Sequence, residues 1–126
     1  MAFGDIDNDG DIDMVIWNRN EPPSLLRNDL KSANHWLQIQ LTGTRSNRAA
    51  IGATVTVQSA GRRQAQPVLS QSSFLSASDL RLHFGLGSAA SAEVIVRWPT
   101  GVREKFAVPG VDRVLHLVEG AGAAVR

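Results

Sequence analysis

The strongest constraint on this chain is a run of alternating aspartates near its amino terminus. Five of the twelve acidic residues fall within nine positions, at Asp5, Asp7, Asp9, Asp11 and Asp13. Left unneutralised around one turn, these carboxylates would repel one another. Ca²⁺ takes about six to eight oxygen ligands from alternating positions of a tight loop and would remove that repulsion. All five residues are therefore candidate metal-site residues, and Ca²⁺ is the expected cofactor.

The spacing predicts how such a loop would use its residues. The first three aspartates occupy loop positions one, three and five, and Gly10 follows where the chain must turn sharply. The main-chain carbonyl of Asp11 would be the next ligand, and Asp13 would close the site. The alternative interpretation is a polar turn that holds no metal.

The loop departs from an EF-hand in two ways. An EF-hand loop ends with a bidentate glutamate at its twelfth position, where this chain has Ile16. The residues that follow the loop, 14–17, are apolar and β-branched at their centre, which favours a strand over a helix. We therefore expect a Ca²⁺ loop between strands, with a weak dissociation constant of about 10⁻⁴–10⁻³ M.

Phe3 and Gly4, together with the aspartate run behind them, resemble the FG-GAP (VCBS-type) repeat of integrin-like β-propellers. The resemblance covers residues 2 to about 28 and implies a calcium loop between two strands of a blade. A propeller needs about four to eight blades, and no internal repeat supplies the others. We interpret residues 1–30 as a hairpin remnant of the last blade of a longer protein.

From residue 35 onward the sequence alternates with a period of two, which is typical of half-buried strands. Leu37, Ile39 and Leu41 share one face, with Gln38 and Gln40 on the other. Further strands are predicted in residues 53–58, 62–69, 80–84, 94–98, 102–108 and 114–118. Because no stripe with a helical period is present, we predict an all-β fold, an antiparallel β-sandwich over residues 31–119. We expect residues 120–126 to form a flexible tail.

Three stretches stand out in this second part: residues 47–53 (NRAAIGA), 74–87 (FLSASDLRLHFGLG) and 94–101 (VIVRWPTG). In this order they resemble the ASPIC/UnbV domain, which in larger proteins commonly follows FG-GAP repeats. The resemblance covers roughly residues 35–106, with Leu80 where many members have proline. It implies calcium-associated binding or adhesion outside the cell, and it brings no catalytic residues with it.

Composition excludes several classes of function. Because there is no cysteine, disulfide frameworks, zinc ribbons and thiol catalysis are excluded. No apolar run is long enough to span a membrane, and we expect any signal peptide to lie upstream of this chain. The residues after position 13 include thirteen basic and seven acidic side chains. We interpret this excess as a solvated surface and not a nucleic-acid site, because no aromatic residues interleave with the bases.

The second part also contains polar residues that could act in a site. Arg81, His83 and Arg97 could form an outward cluster suited to an acidic partner, and Arg97 could instead pair with Glu104 across a hairpin. His83 is interpreted as a structural hydrogen-bonding residue, and the serines of residues 70–78 as a loop with hydroxyl-backbone turns.

The sequence therefore predicts a calcium-binding extracellular or cell-surface module for adhesion or ligand binding, with a glycan or an extracellular protein as partner. One alternative is a structural cap of the parent propeller. The other is a hydrolase built from Ser76, Ser78, Asp79 and His83, although no Gly-x-Ser-x-Gly motif occurs. We expect no enzymatic activity and no cofactor other than Ca²⁺.

Overall fold

The protein is built from β-strands alone. The structure is a computed structural model that describes residues 1–126. It contains no helix, and hence none that could span a membrane. In chain order the strands are β1 (Ala2–Gly4), β2 (Asp13–Ile16), β3 (Ser24–Leu26), β4 (His35–Thr42), β5 (Thr54–Ser59), β6 (Arg62–Pro67), β7 (Leu82–Gly87), β8 (Glu93–Arg97), β9 (Arg103–Phe106), β10 (Arg113–Val118) and β11 (Ala123–Ala124). The predicted all-β class is confirmed.

The first three strands form a small antiparallel sheet that holds the aspartate loop. β2 lies between β1 and β3. Gly4 at the end of β1 pairs with Asp13 at the start of β2, so the residues between them form a loop that joins two paired strands. This arrangement confirms the prediction that the loop lies between strands and is not followed by a helix.

The remaining strands form two larger sheets, ordered β10-β4-β7 and β11-β9-β8-β5-β6. All their pairs are antiparallel except β10 with β4, which is parallel. The exception arises because the chain enters β10 beside the start of β4. There the Asp112 N–H donates to the Trp36 carbonyl, and the Trp36 N–H donates to the Asp112 carboxylate at 3.1 Å.

Both larger sheets contribute to one buried apolar core. The predicted alternation is confirmed at Leu37, Ile39 and Phe84 in the three-stranded sheet, all of which are fully buried. In the five-stranded sheet the buried positions are Val55, Val57, Val94 and Val96, continuing to Trp98 just after β8. Burial of each such side chain stabilises the fold by about 1.5–3 kcal/mol, which makes this cluster the main source of stability.

Gln38 lies on the side of β4 opposite the core, as the alternation predicts, but it is not exposed there. Its side chain is only 1% exposed, whereas Gln40 on the same side is exposed. The difference arises because the aspartate loop packs over the first half of this face, where Asp5 accepts a hydrogen bond from the Gln38 amide at 2.5 Å. The alternation of β4 was right, but the side opposite the core is also covered.

The predicted pair between Arg97 and Glu104 is wrong. Arg97 lies opposite Arg103 in the β8–β9 register. Glu104 alternates with the exposed residues of β9, so its side chain points inward and is 6% exposed. There it accepts hydrogen bonds from the Trp98 indole at 2.9 Å and from the Gly120 N–H at 3.0 Å.

The carboxyl-terminal segment, for which the sequence predicts a flexible tail, contains one short strand. Ala123 and Ala124 form β11, which pairs with Lys105 and Glu104 of β9. The Val125 N–H continues the ladder by donating to the Arg103 carbonyl. The small side chains suit this edge because a Cβ on Gly122 would lie 2.9 Å from the Phe106 ring.

Candidate metal centre

The aspartate loop is shaped by two residues with positive φ, Asn8 (62°) and Gly10 (97°). Asp9 supports the turn because its carboxylate accepts the Asp11 N–H at 2.9 Å. Gly10 is buried against the Trp36 indole, so close that an added Cβ would lie 2.0 Å from the ring. Only glycine fits this position, which explains on structural grounds the glycine that the sequence pattern singled out.

Asp13 fixes the loop to the first sheet. One carboxylate oxygen accepts the Asn28 N–H at 2.8 Å and the other accepts the Ile6 N–H at 2.9 Å. These two hydrogen bonds, the one from Asn28 being the stronger influence, lower the pKa of Asp13. The side chain is 1% exposed, so Asp13 is a buried carboxylate whose charged form these hydrogen bonds favour.

Asp5 is the second buried carboxylate of the loop, at 3% exposure. Its Oδ2 accepts the Gly10 N–H at 3.0 Å and the Gln38 amide. Its Oδ1 is buried and has no hydrogen-bond partner. A buried charged oxygen without a partner is costly, so this atom needs either a donor or a cation.

Three of the five predicted residues are brought together. Asp5, Asp7 and Asp13 each place a carboxylate oxygen within 4.8 Å of the others. Two of these residues are buried and Asp7 is exposed, so one side of the group opens to solvent. An all-carboxylate set suits a hard cation such as Ca²⁺ or Mg²⁺ and does not suit a soft metal. The donor set and the unpartnered Asp5 oxygen both fit the predicted cation.

Asp9 lies in a different group, with Asp7 and Asp29. All three members are exposed, and Arg27 approaches two of them, at 3.4 Å from Asp7 and 2.5 Å from Asp29. The hydrogen bond that Arg27 donates to the Asp29 carboxylate is the main reason that the pKa of Arg27 is raised. Asp29 was missed in the sequence because it follows β3, outside the alternating run, and only the pairing of β3 with β2 places it here.

The Asp11 side chain belongs to neither group. Burial, followed by the charge of Asp9, raises its pKa. The sequence assigned Asp11 a role through its main-chain carbonyl, and the side chain is not needed for that role.

The three-stranded sheet β10-β4-β7 supports the loop through residues of β4 and β7 and the turn before β7. Arg81 donates to the Asp5 carbonyl at 2.7 Å and to the Asn8 side chain at 2.6 Å, while its Nε contacts Asp79 at 2.6 Å. His83 donates from Nε2 to the Gly10 carbonyl at 2.7 Å and stacks on Trp36 with ring centroids 6.3 Å apart. The loop is therefore held in place by residues far from it in sequence.

These contacts correct the predicted outward cluster. Arg81 and His83 face the aspartate loop, whereas Arg97 lies on β8 in the other large sheet. No hydrogen bond joins Ser76 or Ser78 to His83. Ser76 donates to the Met1 carbonyl, and the Ser78 hydroxyl accepts the Phe3 N–H.

The comparison with protein families decides the relationship of this chain. The family model described as ASPIC and UnbV matches residues 43–124. The chain belongs to the ASPIC and UnbV family. No FG-GAP repeat is found in it, and no curated protein matches it. The ASPIC and UnbV match begins directly after β4 and extends into β11. It therefore reaches further towards the carboxyl terminus than the resemblance over roughly residues 35–106.

The aspartate loop precedes the ASPIC and UnbV region, while the residues that hold it lie partly within that region. Arg81 and His83 are inside the matched range, and Trp36 and Gln38 lie just before it. ASPIC and UnbV domains often follow FG-GAP or VCBS repeats. The loop and the domain are thus joined by side-chain contacts and not only by the chain between them.

Proposed function

We propose that residues 5–13 bind Ca²⁺ through Asp5, Asp7 and Asp13, and that the protein is a calcium-stabilised binding module. The observation that carries this proposal is the buried Asp5 Oδ1, which has no partner, on a residue that belongs to a group of three converging carboxylates. A divalent cation would satisfy that oxygen and cancel the repulsion between the three charges. A turn without a metal would leave both costs in place.

The proposal places the protein outside the cell or on its surface, as part of a longer chain that contains a propeller. Membership of the ASPIC and UnbV family supports it, because these domains often follow FG-GAP or VCBS repeats. A sandwich arrangement of the two larger sheets and a blade origin for β1 to β3 belong to the same proposal. The shared core supports the first, and the loop between two paired strands supports the second.

Binding or adhesion is proposed in preference to catalysis. Ser76, Ser78 and His83 form hydrogen bonds with main-chain groups of residues 1–10. The partner would be a glycan or an extracellular protein, and we propose no nucleic-acid partner.

A structural cap of a parent propeller is the second candidate function, because the first sheet leaves several apolar side chains in solvent. Trp17 is 81% exposed, Leu25 58% and Leu26 49%. On a blade fragment these side chains would pack against the neighbouring blade. The two functions are compatible, since a cap that holds calcium can also carry a ligand site.

The experiment is a thermal melt of the chain in 10 mM Ca²⁺ and in excess chelator, with calorimetric titration of Ca²⁺. For a dissociation constant of about 10⁻⁴–10⁻³ M, Ca²⁺ at this concentration stabilises the native state by about 1.4–2.7 kcal/mol. At about 3–5 °C per kcal/mol for a domain of this size, the melting temperature should rise by roughly 4–13 °C. No rise would contradict the proposal.

Substitution of single carboxylates tests which residues hold the Ca²⁺ ion. Asp5→Asn keeps an oxygen that can accept from Gly10 and Gln38 but removes the charge, so it should abolish most of the calcium-dependent shift. Glu21→Gln removes an exposed carboxylate of the same segment and should leave the shift unchanged. If Asp29→Asn removes the shift and Asp5→Asn does not, the ion binds the exposed second group and the assignment to Asp5 is wrong.

A further inference from the structure

The outward face of the five-stranded sheet contains a groove of about 410 Å³ with an unusual set of charges. Three arginines line it, Arg63, Arg97 and Arg103, and no carboxylate does. The sheet supplies the floor through β5, β6, β8 and β9, and the opposite sides of β5, β8 and β9 contribute to the apolar core. The groove therefore lies on a rigid surface and not on a loop.

Arg97 and Arg103 are direct neighbours across the β8–β9 ladder. Like charges directly opposite one another destabilise a sheet. Nearby carboxylates do not relieve the repulsion, because Glu104 is turned inward to Trp98 and Glu93 is paired with Lys105 at 2.6 Å. Both guanidinium groups are exposed, and neither forms an ion pair within the chain. This arrangement becomes favourable when an anion lies between them.

The rest of the groove indicates what kind of anion fits. Thr54 lies opposite Arg97 on β5, and Thr56 and Ile95 lie opposite each other one row further. Arg63, opposite Gln58, ends the groove four residues from the arginine pair, or about 13 Å along the strands. Hydroxyl and amide groups over a short apolar floor, with cations at both ends, suit a ligand that carries many hydroxyls and spaced negative charges.

Two other classes of polyanion fit less well. No aromatic side chain lines the groove, so nucleic-acid bases would have no surface on which to stack. The groove lies on the face of the sheet, where main-chain groups are already paired within the ladders, so a peptide could not bind there by adding a strand.

We propose that this groove binds an anionic carbohydrate, with a carboxylate or sulfate group held by the paired guanidinium groups of Arg97 and Arg103. Planar guanidinium groups bind such oxyanions through two parallel hydrogen bonds each. This proposal gives the class of ligand for the binding module proposed above. It rests on that earlier proposal only in assuming that the protein binds a ligand. No groove residue belongs to the aspartate loop, so binding does not require Ca²⁺.

The test is the affinity of the whole chain for defined polysaccharides at 0.15 M salt, with and without chelator. Heparin carries sulfate and carboxylate, dextran sulfate carries sulfate alone, hyaluronan carries carboxylate alone, and neutral dextran is the uncharged control. The variant with Arg97→Gln and Arg103→Gln should weaken binding of the charged polysaccharides by about tenfold or more, since each charge-assisted contact contributes about that factor. Tighter binding of dextran sulfate than of hyaluronan would identify sulfate as the anionic group, and the reverse would identify carboxylate.

A matched variant with Arg19→Gln and Arg48→Gln has the same net charge but alters exposed arginines outside the groove. It should keep its affinity within about threefold, because charges beyond the contact are largely screened at this salt concentration. The variant with Arg97→Lys and Arg103→Lys keeps the charge but loses the planar guanidinium groups that donate two parallel hydrogen bonds, and it should bind with intermediate affinity. Melting curves of all variants check that each is folded.

Three results would overturn the proposal. The first is that no charged polysaccharide binds at 0.15 M salt, and the second is that the two glutamine variants lose affinity equally. The third is that duplex DNA binds as tightly as heparin with the same dependence on Arg97 and Arg103. A missing calcium shift in the melts would leave this groove unaffected, so the two proposals fail separately.

Discussion

The contact between Gly10 and the Trp36 ring predicts that Gly10→Ala loosens the aspartate loop from the larger sheets. An added Cβ would lie 2.0 Å from Cε2 and 2.2 Å from Nε1 of the indole. Carbon atoms in contact prefer about 3.5–4.0 Å, so the ring or the loop must move by roughly 1.5 Å or more. The backbone at Gly10, with φ of 97°, also disfavours alanine.

The two effects have separate magnitudes. Strain from a residue with a side chain in this backbone conformation costs about 1–3 kcal/mol. Displacing a packed ring costs about another 1–3 kcal/mol. We therefore expect Gly10→Ala to lower the free energy of unfolding by about 2–6 kcal/mol, a large part of the roughly 5–15 kcal/mol of a typical domain.

Urea denaturation followed by circular dichroism measures this loss, and two variants separate its causes. Gly61 has φ of 74° and nothing within 4 Å of an added Cβ, so Gly61→Ala reports backbone strain alone. Combining Gly10→Ala with Trp36→Ala removes the clash, so the double variant should lose about 1–3 kcal/mol less than the sum of the single ones. Equal losses for the Gly10 and Gly61 variants, together with additive single effects, would refute the reasoning.

Two other structural features lead to further predictions. Glu119 is buried, which opposes ionisation, but the N–H groups of Ser46, Thr44 and Arg45 outweigh that burial and lower its pKa to about 2 from an ordinary 4.5. The stabilisation by this charge is complete above pH 4.5 and is lost as the pH falls towards 2. The difference in free energy of unfolding between the wild type and Glu119→Gln should therefore narrow over that range. A difference that stays constant with pH in urea titrations would contradict this. If the first sheet caps a propeller, the isolated chain should associate through Trp17, which is 81% exposed, and Trp17→Ser should weaken self-association in sedimentation experiments.

The sequence predicted local features well because they depend on neighbouring residues. Alternation along β4 placed Leu37 and Ile39 in the core, and the same rule applied to β5 and β8. Alternation along β9 also predicts that the Glu104 side chain points inward with Phe106, whereas pairing of opposite charges predicts that it points outward to Arg97. The inward position is stable because the Trp98 indole and the Gly120 N–H donate hydrogen bonds to the buried carboxylate.

The features that the sequence did not predict are set by contacts between distant segments. Gln38 is buried because the aspartate loop covers it, and the alternation of β4 contains no sign of that cover. Asp29 joins Asp7 and Asp9 only because β3 pairs with β2. Of the five predicted metal-site residues, the structure groups Asp5, Asp7 and Asp13, since distances between side chains depend on the turn geometry as well as on the spacing.

The position of β4 has a consequence for synthesis of the protein on the ribosome. Its partners are β7, which starts at Leu82, and β10, which starts at Arg113. A nascent chain that has just emerged as far as β6 therefore contains β4 with both of its edges unpaired, and closing such distant contacts is slow. The emerging β4 is open to pairing with other chains until Arg113 has left the exit tunnel, so slow translation of residues 82–118 should favour aggregation over folding.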